Sequence, residues 1–512
     1  MPDYSKLHNG SDVRGIAMPG VAGEDVNLTP EAAKRIAQAY AGWLSEHAGK
    51  PVSELVVACG RDPRLSGPNL LAAVEEGLIL LGVHVVDCGL ATTPAMFMSC
   101  VFPDVSADGS CMVTASHLPW NRNGLKFFSR DGGLESADIV RILEVAGSDE
   151  ELAKVPHEAA SPMGRCDLLA VYSAHLRGII CDALGSEDSP LAGLKVCVDA
   201  GNGSGGFFAT DVLAPLGADV SSSQFLEPDG HFPNHPANPE NEQAMASICA
   251  KVRESGVDLG VIFDADVDRS SAVDEHGREI NRNAIVALAA CLVAEDHPGT
   301  CVVTDSVTSN ELTDFLQNTL GLDQLRYKRG YRNVIDKMVE LDRQGVDCRL
   351  AIETSGHAAF LDNHALDDGT YLATRIVVKT AQLKREGKGL STLLSQLKEP
   401  AESVEVRMRV TAEDVRATTD RVLDDLRGWA AGAGEDAAEA DGMRLEVVEP
   451  NYEGVRIAVS GEVSGWFLLR ASLHEPLMPL NVESEQAGGT ERIRALLRGF
   501  MAGEEGVDSS NL

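Results

Sequence analysis

Leu55-Val56-Val57-Ala58-Cys59 runs into a polar loop (60–66), a helical stretch to Leu81, the stop Gly82 and the strand-like Val83-His84-Val85-Val86, and this layout decides the fold. An apolar run of strand length, a helix closed by glycine and a second short strand make a βαβ unit. The layout recurs. Lys195-Val196-Cys197-Val198-Asp199 leads through the glycine-rich loop 200–206 into a helical stretch to Leu216 and the stop Gly217. Thr300-Cys301-Val302-Val303-Thr304 leads through 305–309 to Leu320 and the stop Gly321. Three copies imply three related α/β domains with mixed or parallel sheets, although any α/β protein contains such units.

Working outward, the texture changes after about residue 400. A strand over 403–410, a helix over 412–426, strands over 455–459 and 465–471 and a helix near 491–501 predict a smaller C-terminal α+β domain. Residues 430–441, rich in Ala, Gly and Glu, read as a mobile loop, and 144–162 as the first interdomain linker. The expected domains are 1–160, 161–280, 281–400 and 401–512. A chain of 512 residues is long enough for them.

A formal charge of −34 argues against non-specific nucleic-acid binding but not against a small anion held by a local basic cluster. The start Met1-Pro2-Asp3-Tyr4 shows no secretory signal, and the longest apolar run, 284–294, is about half the roughly 20 residues of a membrane helix. Eleven cysteines without a Cys-x-x-Cys read as reduced, mostly buried thiols. The expected location is the cytoplasm, and the expected partner a small molecule rather than nucleic acid or membrane.

Chemistry collects in four places. In Thr114-Ala115-Ser116-His117-Leu118-Pro119-Trp120-Asn121-Arg122-Asn123-Gly124-Leu125-Lys126, a strand end presents a hydroxyl, an imidazole and two cations. Such a serine can carry a group if it is activated, but alone it is more often a turn residue. No Gly-x-Ser-x-Gly elbow supports acyl chemistry. Asp264-Ala265-Asp266-Val267-Asp268-Arg269 follows the buried-strand pattern Leu259-Gly260-Val261-Ile262-Phe263. Two unpaired carboxylates about 5 Å apart repel by roughly 3 kcal/mol at an effective dielectric of 20. A hard divalent cation relieves that repulsion; the plainer alternative is an exposed acidic turn. A calcium loop fails because Arg269 stands at the sixth position, where glycine is needed, and because a strand precedes the loop. With only three carboxylates, Mg²⁺ keeps open positions for a phosphate oxygen, and Arg269 offers a second positive contact. Ile352-Glu353-Thr354-Ser355-Gly356-His357 offers hydroxyl-reading groups for a sugar, though a tight turn with a solvated Glu is the better reading of that stretch alone. Arg470-Ala471-Ser472 could fork onto a phosphate.

In this order, the four segments resemble the α-D-phosphohexomutase superfamily, in its phosphomannomutase/phosphoglucomutase branch, over nearly the whole chain. Ser11-Asp12-Val13-Arg14-Gly15-Ile16, Gly60-Arg61-Asp62-Pro63-Arg64, Val198-Asp199-Ala200-Gly201-Asn202-Gly203 and the stretch from Pro228-Asp229-Gly230-His231-Phe232-Pro233-Asn234-His235 to Asn238-Pro239 carry the likeness further. The resemblance implies four domains around a central cleft. It implies a phosphorylated Ser116 that exchanges its phosphoryl group with a hexose phosphate through a hexose 1,6-bisphosphate, which also serves as activator. Asp264, Asp266 and Asp268, with the Ser116 phosphate, correspond to Mg²⁺ ligands. Arg14, Lys126 and His117 correspond to positions near the phosphoryl group, with Lys126 and Arg14 contributing to proton transfer. Glu353, Ser355 and His357 correspond to the sugar-reading loop, Lys328 to a cleft lysine, and Arg470 and Ser472 to the grip on the non-transferred phosphate.

There are departures. Leu118 stands where Asn is frequent, Tyr331 where His is frequent, and Leu473 and His474 replace small polar residues of the phosphate grip. Ala265 and Val267 replace glycines, so the backbone there is expected to avoid positive φ. Thr354, at the variable position of its loop, favours mannose and glucose phosphates over glucosamine phosphate. Phosphoglucosamine mutase and a non-catalytic phosphosugar-binding relative are the alternatives. An aspartyl-phosphate enzyme with Asp264 as nucleophile fits less well, since that class has Thr or Val where Asp268 stands.

Overall fold

The computed structural model describes residues 3–159, 163–185, 188–432, 442–472 and 475–512. The chain divides into two compact units, one of Met1–Leu292 with Ser355–Ser395, the other of Val293–Thr354 with Gln396–Leu512. Three α/β domains are followed by a β-rich C-terminal domain.

In the first unit, strand Val56–Arg61 lies parallel to both His84–Leu90 and Gly109–Val113. Helix Gly67–Leu80 makes the crossover, and Gly82 ends that stretch at φ +89°. Gly217 and Gly321 close the other two copies at +89° and +67°, the left-handed geometry that glycine adopts at low cost. Arg122–Ser129 runs antiparallel to Gly109–Val113, and Asp12–Ile16 antiparallel to Arg122–Ser129. The register opposes Arg14 to Gly124 and Lys126 to Met112, so both cations reach the edge from which the 114–121 loop departs. All five residues of Gly109–Val113 are buried, and the one hydroxyl among them, on Ser110, donates to the Met96 carbonyl at 2.7 Å.

A second sheet sets Val196–Asp199 parallel to Leu259–Phe263, which pairs in turn with the antiparallel Ser270–Val273. Phe263 opposes Ser270, so residues 264–269 form the connection of a buried hairpin. The hairpin Ala358–Phe360/Leu366–Asp367 leads into helix Gly369–Arg385, which packs on Leu168–Leu184 and Ser270–Val273.

In the second unit, Cys301–Thr304 is parallel to Asp323–Arg326 and Cys348–Ile352. The C-terminal sheet is antiparallel, with Met443–Val447, Val455–Gly461, Gly465–Leu469, Leu477–Ser484 and Glu402–Val410 adjacent in that order. Helices Val415–Gly432 and Gly489–Met501 cover it, and Met408, Val422, Leu426, Phe467, Ile493 and Leu497 lie in their shared core.

Several expected elements are corrected. The helix expected at 412–426 is Val415–Gly432: Asp414 accepts the Ala417 amide at 2.9 Å as a cap, and the alanines beyond Leu426 continue the helix. Residues 430–432 of the loop expected at 430–441 belong to this helix, and residues 433–441 lie outside the described residues. The linker expected at 144–162 is helical at first, because Ser148 caps a second short helix, Asp149–Leu152; its residues 160–162 also lie outside them. The second and third copies contain π-helical turns, Phe208–Leu213 and Phe315–Thr319, in place of regular helix. Among the described residues, no helix is long and apolar enough to cross a membrane, and all eleven cysteines are free thiols.

Candidate active site

Ser116 follows the buried strand Gly109–Val113 and sits at φ +47°, a left-handed conformation unusual for a residue with a Cβ. Its neighbours hold it there. The Ser116 amide donates to Thr114 Oγ1 (2.9 Å), whose hydroxyl donates to Asp62 Oδ2 (2.7 Å). Arg64, wholly buried, donates Nε to Asp62 (3.1 Å), Nη1 to the carbonyls of Pro119 (2.8 Å) and Arg122 (3.1 Å), and Nη2 to those of Ser116 and Leu118. One guanidinium thus gathers four carbonyls of the loop, a placement that five fixed donors allow and an ammonium does not.

The loop meets the aspartate turn directly. Ser116 Oγ donates to Asp264 Oδ2 at 2.8 Å, and Arg269 Nη2 lies 3.4 Å from the same hydroxyl. Asp264, Asp266 and Asp268 are all fully buried, so an exposed acidic turn is ruled out. Their carboxylate oxygens lie within 4.8 Å of one another. Lys126 pairs with Asp268 and stands 3.6 Å from Asp266. Thr93 donates its hydroxyl to Asp266 Oδ2 (2.5 Å) and its amide to the Asp266 carbonyl (2.9 Å). Asp266 Oδ1 and Asp268 Oδ1 remain buried without a hydrogen-bond partner among the described residues. Two buried carboxylate oxygens without a hydrogen bond beside a hydroxyl fit a hard divalent cation, and the cationic groups facing Asp268 Oδ1, Arg269 Nε and His357 Nδ1, stand off at 3.9 Å. Burial above all, with the charges of Asp268 and Asp266 next, pushes the Asp264 carboxyl well above the usual range. A cation would oppose that shift.

Val267 overturns an expectation: it adopts φ +70° although it is β-branched and buried. Such a conformation costs on the order of 1–3 kcal/mol and persists only where its surroundings impose it. Here Asp264 Oδ1 accepts the amides of Val267 (3.0 Å) and Arg269 (3.2 Å). Helix Gly369–Arg385 closes the other side: a Cβ on Gly369 would fall 2.6 Å from the Arg269 carbonyl carbon and 2.9 Å from Val267 O.

Arg14 donates to the Thr114 carbonyl (2.7 Å) and pairs with Asp12 (2.7 Å). His117 Nδ1 is 3.3 Å from Ser116 Oγ. The Arg269 charge first, then burial and Arg14, pull the imidazole down to about 2, so His117 is neutral. His357 behaves oppositely. Burial is the largest single influence and would lower it, but Asp367, at 2.6 Å, and Asp268 together hold it up at about 9. Ser355 is buried in the same unit.

The remaining expected residues belong to the second unit. Glu353 is buried, not solvated, and accepts the Gly330 amide at 2.7 Å, tying its loop to the 327–330 turn. Thr354 turns its hydroxyl onto Asp305 Oδ2 (2.7 Å). Lys328 is exposed, 5.9 Å from the Tyr327 ring centroid, and Tyr331 begins helix Tyr331–Arg343. Arg470 is buried; its nearest acid is Glu453 at 3.9 Å, and its Nε has no partner among the described residues. Ser472 Oγ accepts the Glu475 amide at 3.3 Å, while Leu473 and His474 lie outside the described residues.

Sequence reasoning missed Thr93, Asp367 and Asp305 and gave Asp62 and Arg64 no task. The one available signal was the turn Arg61-Asp62-Pro63-Arg64 itself, whose second cation follows a strand and has an acid two residues away.

Residues 5–151, 170–277 and 281–400 match, in order, domains I, II and III of the family described as phosphoglucomutase/phosphomannomutase, alpha/beta/alpha. A phosphomannomutase/phosphoglucomutase of Pseudomonas aeruginosa is 29% identical over 499 residues, covering 97% of this chain and 96% of that protein. A phosphoglucosamine mutase of Symbiobacterium thermophilum is 31% identical over 491 residues, covering 95% and 96%. The crystal structure of a phosphoglucomutase/phosphomannomutase family protein from Burkholderia thailandensis superposes with a TM-score of 0.77 at 26% identity, covering 98% of each chain.

Proposed function

Because this chain belongs to the α-D-phosphohexomutase superfamily, we propose that it interconverts the 1- and 6-phosphates of mannose or glucose through a phosphoserine at Ser116. The observation that carries this reading is the 2.8 Å bond from Ser116 Oγ to a triple-aspartate turn with two orphaned oxygens.

The reaction runs in two transfers. A sugar hydroxyl attacks the phosphorus on Ser116, the Oγ–P bond breaks, and a hexose 1,6-bisphosphate forms. The intermediate turns over, and its other phosphate returns to Ser116; free bisphosphate restores any serine that has lost its phosphate and so acts as activator. The proton of the attacking hydroxyl ends on the departing Ser116 Oγ, and Lys126 and Arg14 contribute to that transfer. Arg269, with a guanidinium nitrogen 3.4 Å from Ser116 Oγ, places fixed positive charge where negative charge builds on the phosphoryl oxygens. Asp264, Asp266, Asp268 and the Ser116 phosphate would hold Mg²⁺, which withdraws charge from the phosphoryl group in transfer. His117, whose Nδ1 is 3.3 Å from Ser116 Oγ, lines the phosphoryl site.

Glu353, Ser355 and His357 read the sugar hydroxyls with Lys328, and Arg470 and Ser472 hold the phosphate that is not being transferred. Binding remote from the reacting centre keeps the intermediate placed for its second transfer. The working domains are 1–160, 161–280, 281–400 and 401–512. The protein acts in the cytoplasm on small phosphosugars, not on nucleic acid or membrane.

A second reading, phosphoglucosamine mutase, is favoured by the 31% identity to a relative so named. Assays on mannose, glucose and glucosamine 1-phosphates with Mg²⁺ and trace bisphosphate separate the two. Mannose and glucose 1-phosphates should each turn over at least about tenfold faster than the glucosamine form, a gap of about 1.4 kcal/mol. The reverse order would establish the second reading. Ser116→Ala should abolish turnover while still binding substrate, and substantial residual turnover would remove the serine from its role.

A further inference from the structure

We propose that Glu453 is a positioning residue for Arg470, holding the guanidinium ready for phosphate without occupying its donors. The inference rests on the reading of Arg470 as a phosphate-gripping residue and adds the group that makes such a grip workable.

Burying an arginine has a cost: removing the guanidinium from water favours its neutral form, and burial is what lowers Arg470 here. A close carboxylate with two hydrogen bonds would offset that cost, but it would also fill the donors that a phosphate needs. Glu453 offsets part of that cost through its charge and leaves the donors unfilled. Its Oε1 stands 3.9 Å from Arg470 Nη1, near enough for charge attraction and too far for a hydrogen bond. Arg470 Nε has no partner among the described residues. Both side chains are about 10% exposed, so little water screens the pair.

Glu453 is itself anchored on its far side. Its Oε2 accepts the Ser306 hydroxyl and the Arg329 amide, the latter at 3.2 Å. Those partners lie on the 305–306 and 327–330 turns, and the second of these turns also holds Glu353 through the Gly330 amide. One carboxylate therefore joins the turn beside the sugar-reading loop to the arginine of the phosphate grip. Gly454 makes the approach possible: a side chain there would run into the Leu469 carbonyl and come within 2.8 Å of Arg470 Cβ. Arg456, in the strand Val455–Gly461 that follows, donates Nη1 to the Ser306 carbonyl (3.0 Å) and Nη2 to that of Thr308 (3.1 Å).

The test is a double-mutant cycle on the full-length enzyme with mannose 1-phosphate and Mg²⁺, recording KM and kcat separately. Glu453→Gln keeps an oxygen for Ser306 and Arg329 but removes the charge facing Arg470. It should raise KM about tenfold and change kcat less than about threefold. Arg470→Ala should raise KM by more, and adding Glu453→Gln to it should raise KM no further, because the glutamate acts through the arginine. Multiplying effects, or an unchanged KM in Glu453→Gln alone, would overturn the proposal. An unchanged KM in Arg470→Ala would instead overturn the phosphate-grip reading beneath it. Glu453→Asp keeps the charge but shortens the reach to Ser306 and Arg329, and its KM should rise at an unaltered Tm. A fall in Tm at unchanged KM would mark the residue as merely structural.

Discussion

Arg64 and Arg470 are both buried arginines at loops that follow strands, yet they are used in opposite ways. Arg64 commits every donor to its own chain: Asp62 and four carbonyls around Ser116. Among the described residues, Arg470 Nε has no hydrogen-bond partner, and Glu453 stands 3.9 Å from its Nη1. A guanidinium with no donor to spare fixes a geometry; one with donors in reserve waits for a ligand. The serine loop and the aspartate turn are accordingly over-determined, strained at Ser116 and at Val267, while the Arg470 guanidinium itself is lightly tied.

That contrast can be broken first at Arg64. Arg64→Lys removes the fork that gathers the carbonyls, and a displaced nucleophile costs on the order of 10²-fold in rate. Expected are a kcat lower by about that factor, a Tm lower by several degrees and a nearly unchanged KM. Equal loss in KM and kcat would mean that Arg64 and Arg470 do the same work. Arg470→Lys should show the complementary pattern, a KM higher by about tenfold with Tm intact.

Next in size is Asp266→Asn. One of the two orphaned oxygens then belongs to an amide, and the Mg²⁺ concentration for half-maximal activity should rise at least about fivefold. An unchanged metal titration would mean that the turn is not the metal site.

The last effect, on stability rather than on turnover, concerns a buried acid of the C-terminal sheet. Burial pushes Glu483 up to about 7, although Trp466 donates to it at 2.8 Å. A carboxyl raised in the folded state contributes stability that is complete below its ordinary value near 4.5 and lost as pH rises through about 7. Glu483→Gln should therefore flatten the decline in Tm between pH 5 and pH 8, by about 1–3 kcal/mol of stability. An unaltered slope would assign that decline to other groups.

The transfer region was the more legible of the two in sequence. A serine loop after one apolar strand and three aspartates after another are local patterns, and each strand directs its loop to the same edge of the first unit. What stayed hidden depends on contacts between distant positions. Nothing in Arg61-Asp62-Pro63-Arg64 says that Arg64 will reach residues 116–122, and nothing in Asn451-Tyr452-Glu453-Gly454 points to Ser306 or Arg329. Val267 misled for a different reason. Loss of glycine argues against positive φ, yet two amide bonds to Asp264 and the close pass of Gly369 enforce it. Helix ends shifted where a cap outweighed the apolar pattern, as Asp414 does for Val415–Gly432.

Peptide mapping of the enzyme after incubation with Mg²⁺ and glucose 1,6-bisphosphate decides whether Ser116 carries the phosphoryl group. One phosphate is expected, on the peptide that contains Ser116, and it should pass to sugar when hexose 6-phosphate is added. A fully active enzyme with no phosphate on Ser116, or with its phosphate on Asp264, would contradict it.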